Sequence, residues 1–133
     1  MLARLTLDDL DLCADTVARL GGDQPRSIWA SLAWVIRNRI ECAAAAFGTP
    51  PEIGSACNDV LMEALATPRS QPVSAHLSDL DWCRLRAVNH LVWAGDLSDE
   101  TGGAIACHRH DRSPLWAKAR TPTALLGSFL FFR

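Results

Sequence analysis

Apolar residues recur at helical spacing along the first two thirds of the chain. The clearest stripe runs from Ile28 to Ile40, follows Pro25, which suits a first helical position, and ends before Gly48. It covers much of the helix circumference, so we expect a central, buried helix. The whole pattern predicts four helices, over residues 7–20, 25–46, 58–66 and 79–94.

Capping residues mark the first and fourth helices. Thr6 precedes the first helix with Asp9 three residues on, as in a capping box, and Gly21 is suited to end it. The fourth helix follows Ser78 and stops at Gly95. Its apolar residues, which we expect to face the core, are Leu80, Cys83, Ala87, Val88 and Leu91.

The character of the sequence changes after Gly95. Residues 101–108 are small and typical of a strand, and residues 126–133 predict a second one. A loop that contains Pro114 and Trp116 lies between them. Together with the helices, this predicts an α+β domain over residues 1–133 that ends in a small antiparallel β-hairpin with a long connection.

Composition and charge narrow the function classes. The 133 residues are 49% hydrophobic and 21% charged, with a formal net charge of −2. A packed core is therefore expected, and binding to nucleic acid through many phosphate contacts is not. No apolar run approaches the roughly 18 residues of a membrane span, so we expect no membrane insertion. The chain reaches Asp8 and Asp9 before any long apolar run, unlike a secretory signal, which predicts a cytoplasmic protein.

The densest group of metal-ligating and nucleophilic side chains lies at residues 107–111, Cys-His-Arg-His-Asp. On a strand, His108 and His110 share one face and could bind zinc with a third ligand, for which His76, His90 and Asp111 are the candidates. The more ordinary interpretation is one oriented histidine beside surface charges. Five cysteines without a Cys-x-x-Cys pair indicate mostly buried, reduced thiols. No phosphate loop or dinucleotide fingerprint occurs, so no cofactor is expected.

Four glutamates are the first candidates for acid and base chemistry on a glycan. Cleavage of a glycosidic bond needs a protonated carboxyl group beside the leaving oxygen, held in a partly apolar site. For each of the four, a solvated surface charge is the ordinary interpretation. They are Glu41, Glu52, Glu63 and Glu100.

Four segments carry motifs that occur together in one family. They are Ser31-Leu-Ala-Trp-Val-Ile-Arg-Asn-Arg39, Thr101-Gly-Gly-Ala-Ile-Ala-Cys-His108, Ser113-Pro-Leu-Trp116 and Leu126-Gly-Ser-Phe-Leu-Phe-Phe-Arg133. In combination they resemble the SleB-type cell-wall hydrolases, which include the spore cortex-lytic enzymes. That family has a Val-Ala-x-Val-Val-Leu-Asn-Arg helix, a Thr-Gly-Gly-Ala strand leading to a histidine, a tryptophan loop and an Ile-Gly-x-His-x-Phe-Tyr ending.

The resemblance implies a mainly helical, lysozyme-like domain with a short sheet. It also implies cleavage of the peptidoglycan glycan strand, by lytic transglycosylase or muramidase chemistry. Gln71 is similar to the glutamine of the family's Gln-Phe-Ser loop. The residues for which the resemblance implies contact with substrate are Asn38, Gln71, His108 and Trp116.

The family's catalytic glutamate, which acts as acid and then base, has no counterpart in this sequence. Counting back without gaps from the Asn-Arg pair of the helix puts Leu20 in its place, and a one-residue slip puts Arg19 there. Neither side chain can donate a proton at neutral pH. Phe129 stands in place of the family's C-terminal histidine. The remaining candidates for a catalytic acid are Asp23 and Glu100.

Three hypotheses remain open on the sequence. The first is a peptidoglycan hydrolase with a relocated acid, which predicts a cleft with a buried carboxylate. The second is a non-catalytic module for glycan or a protein partner, associated with a phage or similar particle, which predicts an apolar or flat site around Leu20 and Phe129. Without an export signal, either protein reaches the wall only by release or carriage. The third is a cytoplasmic metal or thiol enzyme built on Cys107, His108 and His110.

Overall fold

A computed structural model describes residues 5–65 and 77–133, as four helices followed by a small antiparallel sheet. The α+β class predicted from the sequence is confirmed. No helix in this part of the chain combines the length and the apolar character of a membrane span. The elements are α1 (Leu7–Gly21), α2 (Arg26–Phe47), α3 (Ile53–Leu65), α4 (Asp79–Ala94), β1 (Ala106–Arg109), β2 (Ala124–Leu126) and β3 (Phe129–Phe132), with a short 3₁₀ turn at Leu115–Ala117.

α2 is the central helix, as its apolar stripe predicts. Leu32, Val35, Ile36 and Ile40 are fully buried, and α2 contacts α1, α3, α4 and β1. Burial of each such side chain contributes about 1.5–3 kcal/mol to folding. The helix ends at Gly48, whose positive φ of 79° is the left-handed conformation that glycine adopts without strain.

α1 and α3, which both contact α2, begin in different ways. α1 starts with the predicted capping box, in which the Thr6 hydroxyl accepts from the Asp9 amide and the Asp9 carboxylate accepts from the Thr6 amide. α3 starts at Ile53, so the predicted start of the third helix at residue 58 was wrong by five residues. Ala56 and Cys57 are buried in the shared core, and this packing outweighs the weak local helix propensity.

α4 turns a different face to the core from the one predicted. Its buried residues are Leu85, Asn89 and Val92, whereas the stripe chosen from the sequence is exposed except for the partly buried Val88. Asn89 can lie in the core because its side-chain amide donates to the Leu10 carbonyl at 3.0 Å. The predicted face was wrong because the buried face of α4 has a polar residue, Asn89, at its centre.

The C-terminal sheet has three strands in the order β1-β3-β2, one more than predicted. β1 pairs antiparallel with β3, which confirms the predicted pairing across a long connection. The chain also turns sharply at Gly127, whose φ is 56°, so that β2 pairs with β3 as a second hairpin. The sequence had suggested a single strand over residues 126–133. Phe129 and Phe131 point from β3 into the helical core and are fully buried.

Candidate functional site

The end of α1 is the place where the sequence resemblance puts the catalytic acid. Leu20 lies there with only 4% of its surface exposed, beside the fully buried Phe129. The indole N–H of Trp29 donates to the Gly21 carbonyl at 3.1 Å, which ties the start of α2 to the end of α1. The space left at Leu20 and Phe129 is about 20 Å³, enough for about one water molecule and too small for a sugar ring.

Arg109 occupies this corner from β1. Its guanidinium donates to the Asp23 carboxylate at 2.6 Å and 3.3 Å and to the Leu20 carbonyl at 3.1 Å. The guanidinium carbon lies 5.1 Å from the centre of the Phe129 ring. Hydrogen bonds from Arg109, together with its charge, lower the pKa of the Asp23 carboxyl against an opposing effect of burial. Asp23 is therefore ionised at neutral pH, which argues against it as a general acid.

Asn38 contacts protein groups and holds a loop in place. Its side-chain amide donates to Asp99 at 2.9 Å and to the Ala104 carbonyl at 3.1 Å. Asp99 also accepts from the amide and hydroxyl of Thr101, at 2.8 Å and 2.6 Å, and from the Gly103 amide at 3.2 Å. Burial by itself raises the pKa of Asp99, but these donors together lower it. The Asn-Arg pair and the Thr-Gly-Gly-Ala segment thus form one structural unit.

Arg39 joins three parts of the fold. It binds the Glu63 carboxylate through two hydrogen bonds of 2.6 Å and 2.8 Å and donates to the Ile105 carbonyl at 2.7 Å. The ion pair links α2 to α3, and the carbonyl contact links α2 to the segment before β1. Glu63 is therefore half of a paired, partly buried link rather than the solvated surface charge expected from the sequence.

Glu100, the other candidate acid, contributes to a cavity at the start of α2. Glu100 is exposed, and the cavity, of about 330 Å³, is also lined by Arg26 and Ser31. Val88 and Leu91 from α4 contribute apolar walls. Asp23 is not among the residues that line this cavity. The two candidate acids therefore do not line a common cavity.

His108 and Trp116 belong to an aromatic cluster on one face of the sheet. The His108 ring stacks on Phe132 with centroids 5.3 Å apart, and Trp116 meets both rings edge-on. His108 is 6% exposed, and its Nδ1 lies 2.6 Å from the Arg109 carbonyl. Because a carbonyl only accepts, Nδ1 carries the proton. Trp116 is partly exposed, and its indole N–H donates to the Glu63 carbonyl at 3.0 Å.

Alternation along β1 sends the predicted site residues in two directions. Cys107 and Arg109 face the helices, and His108 faces the side that Trp116 covers, as the strand periodicity predicted. The contact between Arg109 and Asp23 therefore lies on one side of β1, and the cluster of His108 and Trp116 lies on the other. Gln71 lies outside the described residues.

The metal and thiol hypotheses find little support in the described part of the chain. Across residues 5–65 and 77–133, no three His, Cys, Asp or Glu side chains come together in a way that could hold a metal ion. Cys107 is fully buried, and burial raises the pKa of its thiol to about 12. Its thiolate is therefore scarce at neutral pH, which is the opposite of what a nucleophile needs.

Arg109 and Asp99, which organise the two polar networks, were not predicted as site residues. The sequence shows Arg109 only as one charged residue of the Cys-His-Arg-His-Asp segment. It does not indicate the partner Asp23, which is 86 residues away. Asp99 carried a stronger local signal, because an aspartate two residues before a threonine can accept from that threonine's backbone amide.

Comparisons with known proteins support the fold. No protein-family model matches the chain, and no curated protein matches it. Among solved structures, the crystal structure of the catalytic domain of the Bacillus cereus SleB protein is similar over 100% of this chain and 95% of that one. The TM-score is 0.62 and the sequence identity is 18%. The chain therefore has the fold of the SleB catalytic domain.

Proposed function

We propose that this chain is a peptidoglycan-directed domain that binds the glycan strand and does not cleave it. The peptidoglycan assignment rests on the SleB-like fold and on the family motifs of the sequence. The loss of cleavage rests on the corner at the end of α1, where a leucine, a phenylalanine and a bound arginine meet.

The proposal depends above all on the contacts of Arg109 at the end of α1. Glycosidic cleavage of this kind requires a carboxyl group that is protonated before it meets the leaving oxygen. Leu20 offers no carboxyl group, and the candidate acid Asp23 is held as the anion by Arg109. A fixed guanidinium favours the ionised form of any acid placed beside it. Positioned proton transfer typically contributes about 10²–10⁴-fold in rate, so its absence removes most of the activity.

Trp116 is the residue to which we assign glycan contact. A flat indole can stack on the apolar side of a sugar ring, and Trp116 is the partly exposed member of the aromatic cluster. His108 and Phe132 lie beneath it, 6% and 2% exposed, and support the ring. The guanidinium of Arg120 lies 5.7 Å from the ring centre and adds hydrogen-bond donors at the same surface.

A second candidate function is hydrolysis with Glu100 as a relocated acid. Glu100 lines the 330 Å³ cavity, to which Val88 and Leu91 contribute apolar walls. Glu100 is nevertheless exposed, whereas the general acid of a glycosidase lies in a partly apolar site. We therefore rank this function below binding without cleavage.

The binding test is co-sedimentation of the purified chain with isolated, insoluble peptidoglycan. The wild type is expected to pellet, and Trp116→Ala is expected to pellet at least about tenfold less well, in line with the loss of one stacking residue. Leu115→Ala is the matched control, because Leu115 is the adjacent residue and is 81% exposed. Circular dichroism verifies that each variant is folded.

The activity test is release of soluble fragments from the same peptidoglycan, with Asp23→Asn and Glu100→Gln beside the wild type. Pelleting without release supports the proposal. Release that disappears in Glu100→Gln, or in Asp23→Asn, would establish an enzyme, identify its acid and overturn the proposal. Neither pelleting nor release would also overturn it and would direct the search to a protein partner.

A further inference from the structure

The outward side of α4 carries an exposed apolar stripe. Its five residues recur at helical spacing and point away from the buried face of Leu85, Asn89 and Val92. Leu80 is 59% exposed and Leu91 is 41% exposed, which is unusual for leucines that share one helix face. We call this set the outer stripe: Leu80, Cys83, Ala87, Leu91 and Ala94.

A shallow, open depression lies over the outer stripe. Its lining residues all belong to α4, and Arg86 and His90 stand along one side of it. The floor is formed by the small residues Cys83, Ala87 and Ala94 together with Leu91. Small residues on a helix surface let a second helix approach closely, and a large side chain can fill the space above them.

The outer stripe has the same spacing in both directions along the helix. Measured from Ala87, Cys83 and Leu91 are each four residues away, and Leu80 and Ala94 are each seven residues away. In an antiparallel pair of α4 helices with the two Ala87 residues opposed, Leu80 meets Ala94 of the second copy. Leu91 likewise meets Cys83 of the second copy. Each large side chain is thus placed over a small one.

We propose that the outer stripe is the interface of an antiparallel dimer, in which a second copy of this chain docks through α4. A twofold axis through Ala87 makes the interface isologous, which is the commonest arrangement for homodimers. The antiparallel direction also brings the positive start of one helix near the negative end of the other. The inference does not depend on the proposed function.

The dimer is expected to be weak and concentration-dependent. α4 has 16 residues, so it is about 24 Å long. One pair of helices of that length buries less than the roughly 1,600 Å² of a standard stable interface. The test must therefore measure association over a wide range of protein concentration.

Cysteine cross-linking tests both the contact and the direction. In a Cys42→Ala/Cys83→Ala background, Ala87→Cys puts two thiols on the proposed axis. Packed helices 8–10 Å apart place facing Cα atoms about 3.5–5.5 Å apart, which overlaps the range that a disulfide spans. We expect rapid formation of a disulfide-linked dimer under mild oxidation.

Two matched controls accompany this variant in the same background. Ala94→Cys lies on the outer stripe and cross-links to itself only in a parallel pair. Ala45→Cys is exposed on α2 and reports random collision. Fast cross-linking at 87 alone supports the proposal. Equal rates at 87 and 45, or faster cross-linking at 94 than at 87, would overturn it.

Sedimentation equilibrium tests the dimer without cross-linking. Leu91→Glu buries a charge against Cys83 of the second copy, so we expect its dimer dissociation constant to rise at least about tenfold. Leu125→Glu is the control, because Leu125 is 66% exposed on β2, away from α4. A wild type that stays monomeric at every concentration would refute the proposal. If Cys83 of that monomer also resists thiol reagents, another part of the same chain covers the face.

Discussion

The Asp99 carboxylate accepts hydrogen bonds from four donors, two at each oxygen, and Asp99→Asn would disrupt this arrangement. Oδ1 accepts from the amide and the hydroxyl of Thr101, and Oδ2 accepts from the Asn38 side chain and the Gly103 amide. An asparagine keeps one acceptor oxygen and turns an NH₂ group toward two donors. Two hydrogen bonds to a charged acceptor are lost, each with a typical contribution of about 1.5–3 kcal/mol. Because water can reach part of the site, we expect a loss of about 2–4 kcal/mol in the free energy of unfolding.

Urea denaturation at neutral pH, followed by circular dichroism, measures this loss directly. The matched control is Asp96→Asn, since Asp96 is an exposed aspartate in the same loop. We expect that control to change stability by less than about 0.5 kcal/mol. An Asp99→Asn variant as stable as Asp96→Asn would refute the assignment of Asp99 as the centre of the loop.

The pH dependence of the same difference provides a second check. The pKa of Asp99 is lower in the folded chain than in the unfolded chain, where it is about 3.9. The unfolded state therefore binds the proton more readily, and the stabilisation by Asp99 is fully present above about pH 5. It is lost as the pH falls through the folded pKa. The wild type and Asp99→Asn are thus expected to converge in acid, and a constant difference across this range would contradict the mechanism.

Three further predictions follow from other parts of the fold. Arg109→Met is expected to lower the free energy of unfolding by about 1–3 kcal/mol at neutral pH, because it removes the donor to the Leu20 carbonyl. The loss is expected to be smaller in acid, where the Asp23 carboxylate that Arg109 binds is protonated; urea denaturation at both pH values measures the difference. At a protein concentration low enough to keep the chain monomeric, a thiol reagent is expected to modify Cys42 and Cys83 quickly and the three buried cysteines only after unfolding; rapid reaction of all five would contradict the burial. Gly127→Ala is expected to be more destabilising than Gly48→Ala by about 1 kcal/mol or more. Both glycines have a positive φ, but only at Gly127 would the added Cβ lie 2.9 Å from Ile28 atoms. Thermal denaturation of the two variants tests this.

Local patterns in the sequence were sufficient for most of the helical architecture. The stripe of α2, the capping box at Thr6 and the glycines after helices are signals that lie within a few residues of the structure they specify. The pairing of β1 with β3 was also predictable, because both segments are short and typical of strands. The division of the last segment into β2 and β3 depends on one positive φ at Gly127, which a hydrophobic pattern does not encode.

The candidate site was less predictable because its contacts join distant residues. Asp23 meets Arg109 across 86 positions, and Asn38 meets Asp99 across 61. A sequence pattern gives the residue types but not the partner that changes a carboxyl pKa. The same limit explains the error on α4, where the contact between Asn89 and the Leu10 carbonyl decides which face is buried.

The order of the strands has a consequence for how this chain reaches its native state. β3 is last in sequence but lies in the middle of the sheet, and it supplies Phe129 and Phe131 to the helical core. Local helices form within about microseconds, whereas contacts between distant residues require slow loop closure. On a ribosome, α1 and α2 therefore emerge and fold locally with their apolar faces still uncovered. The core closes only after Phe132 has been synthesised, so docking of β3 is the step expected to set the folding rate.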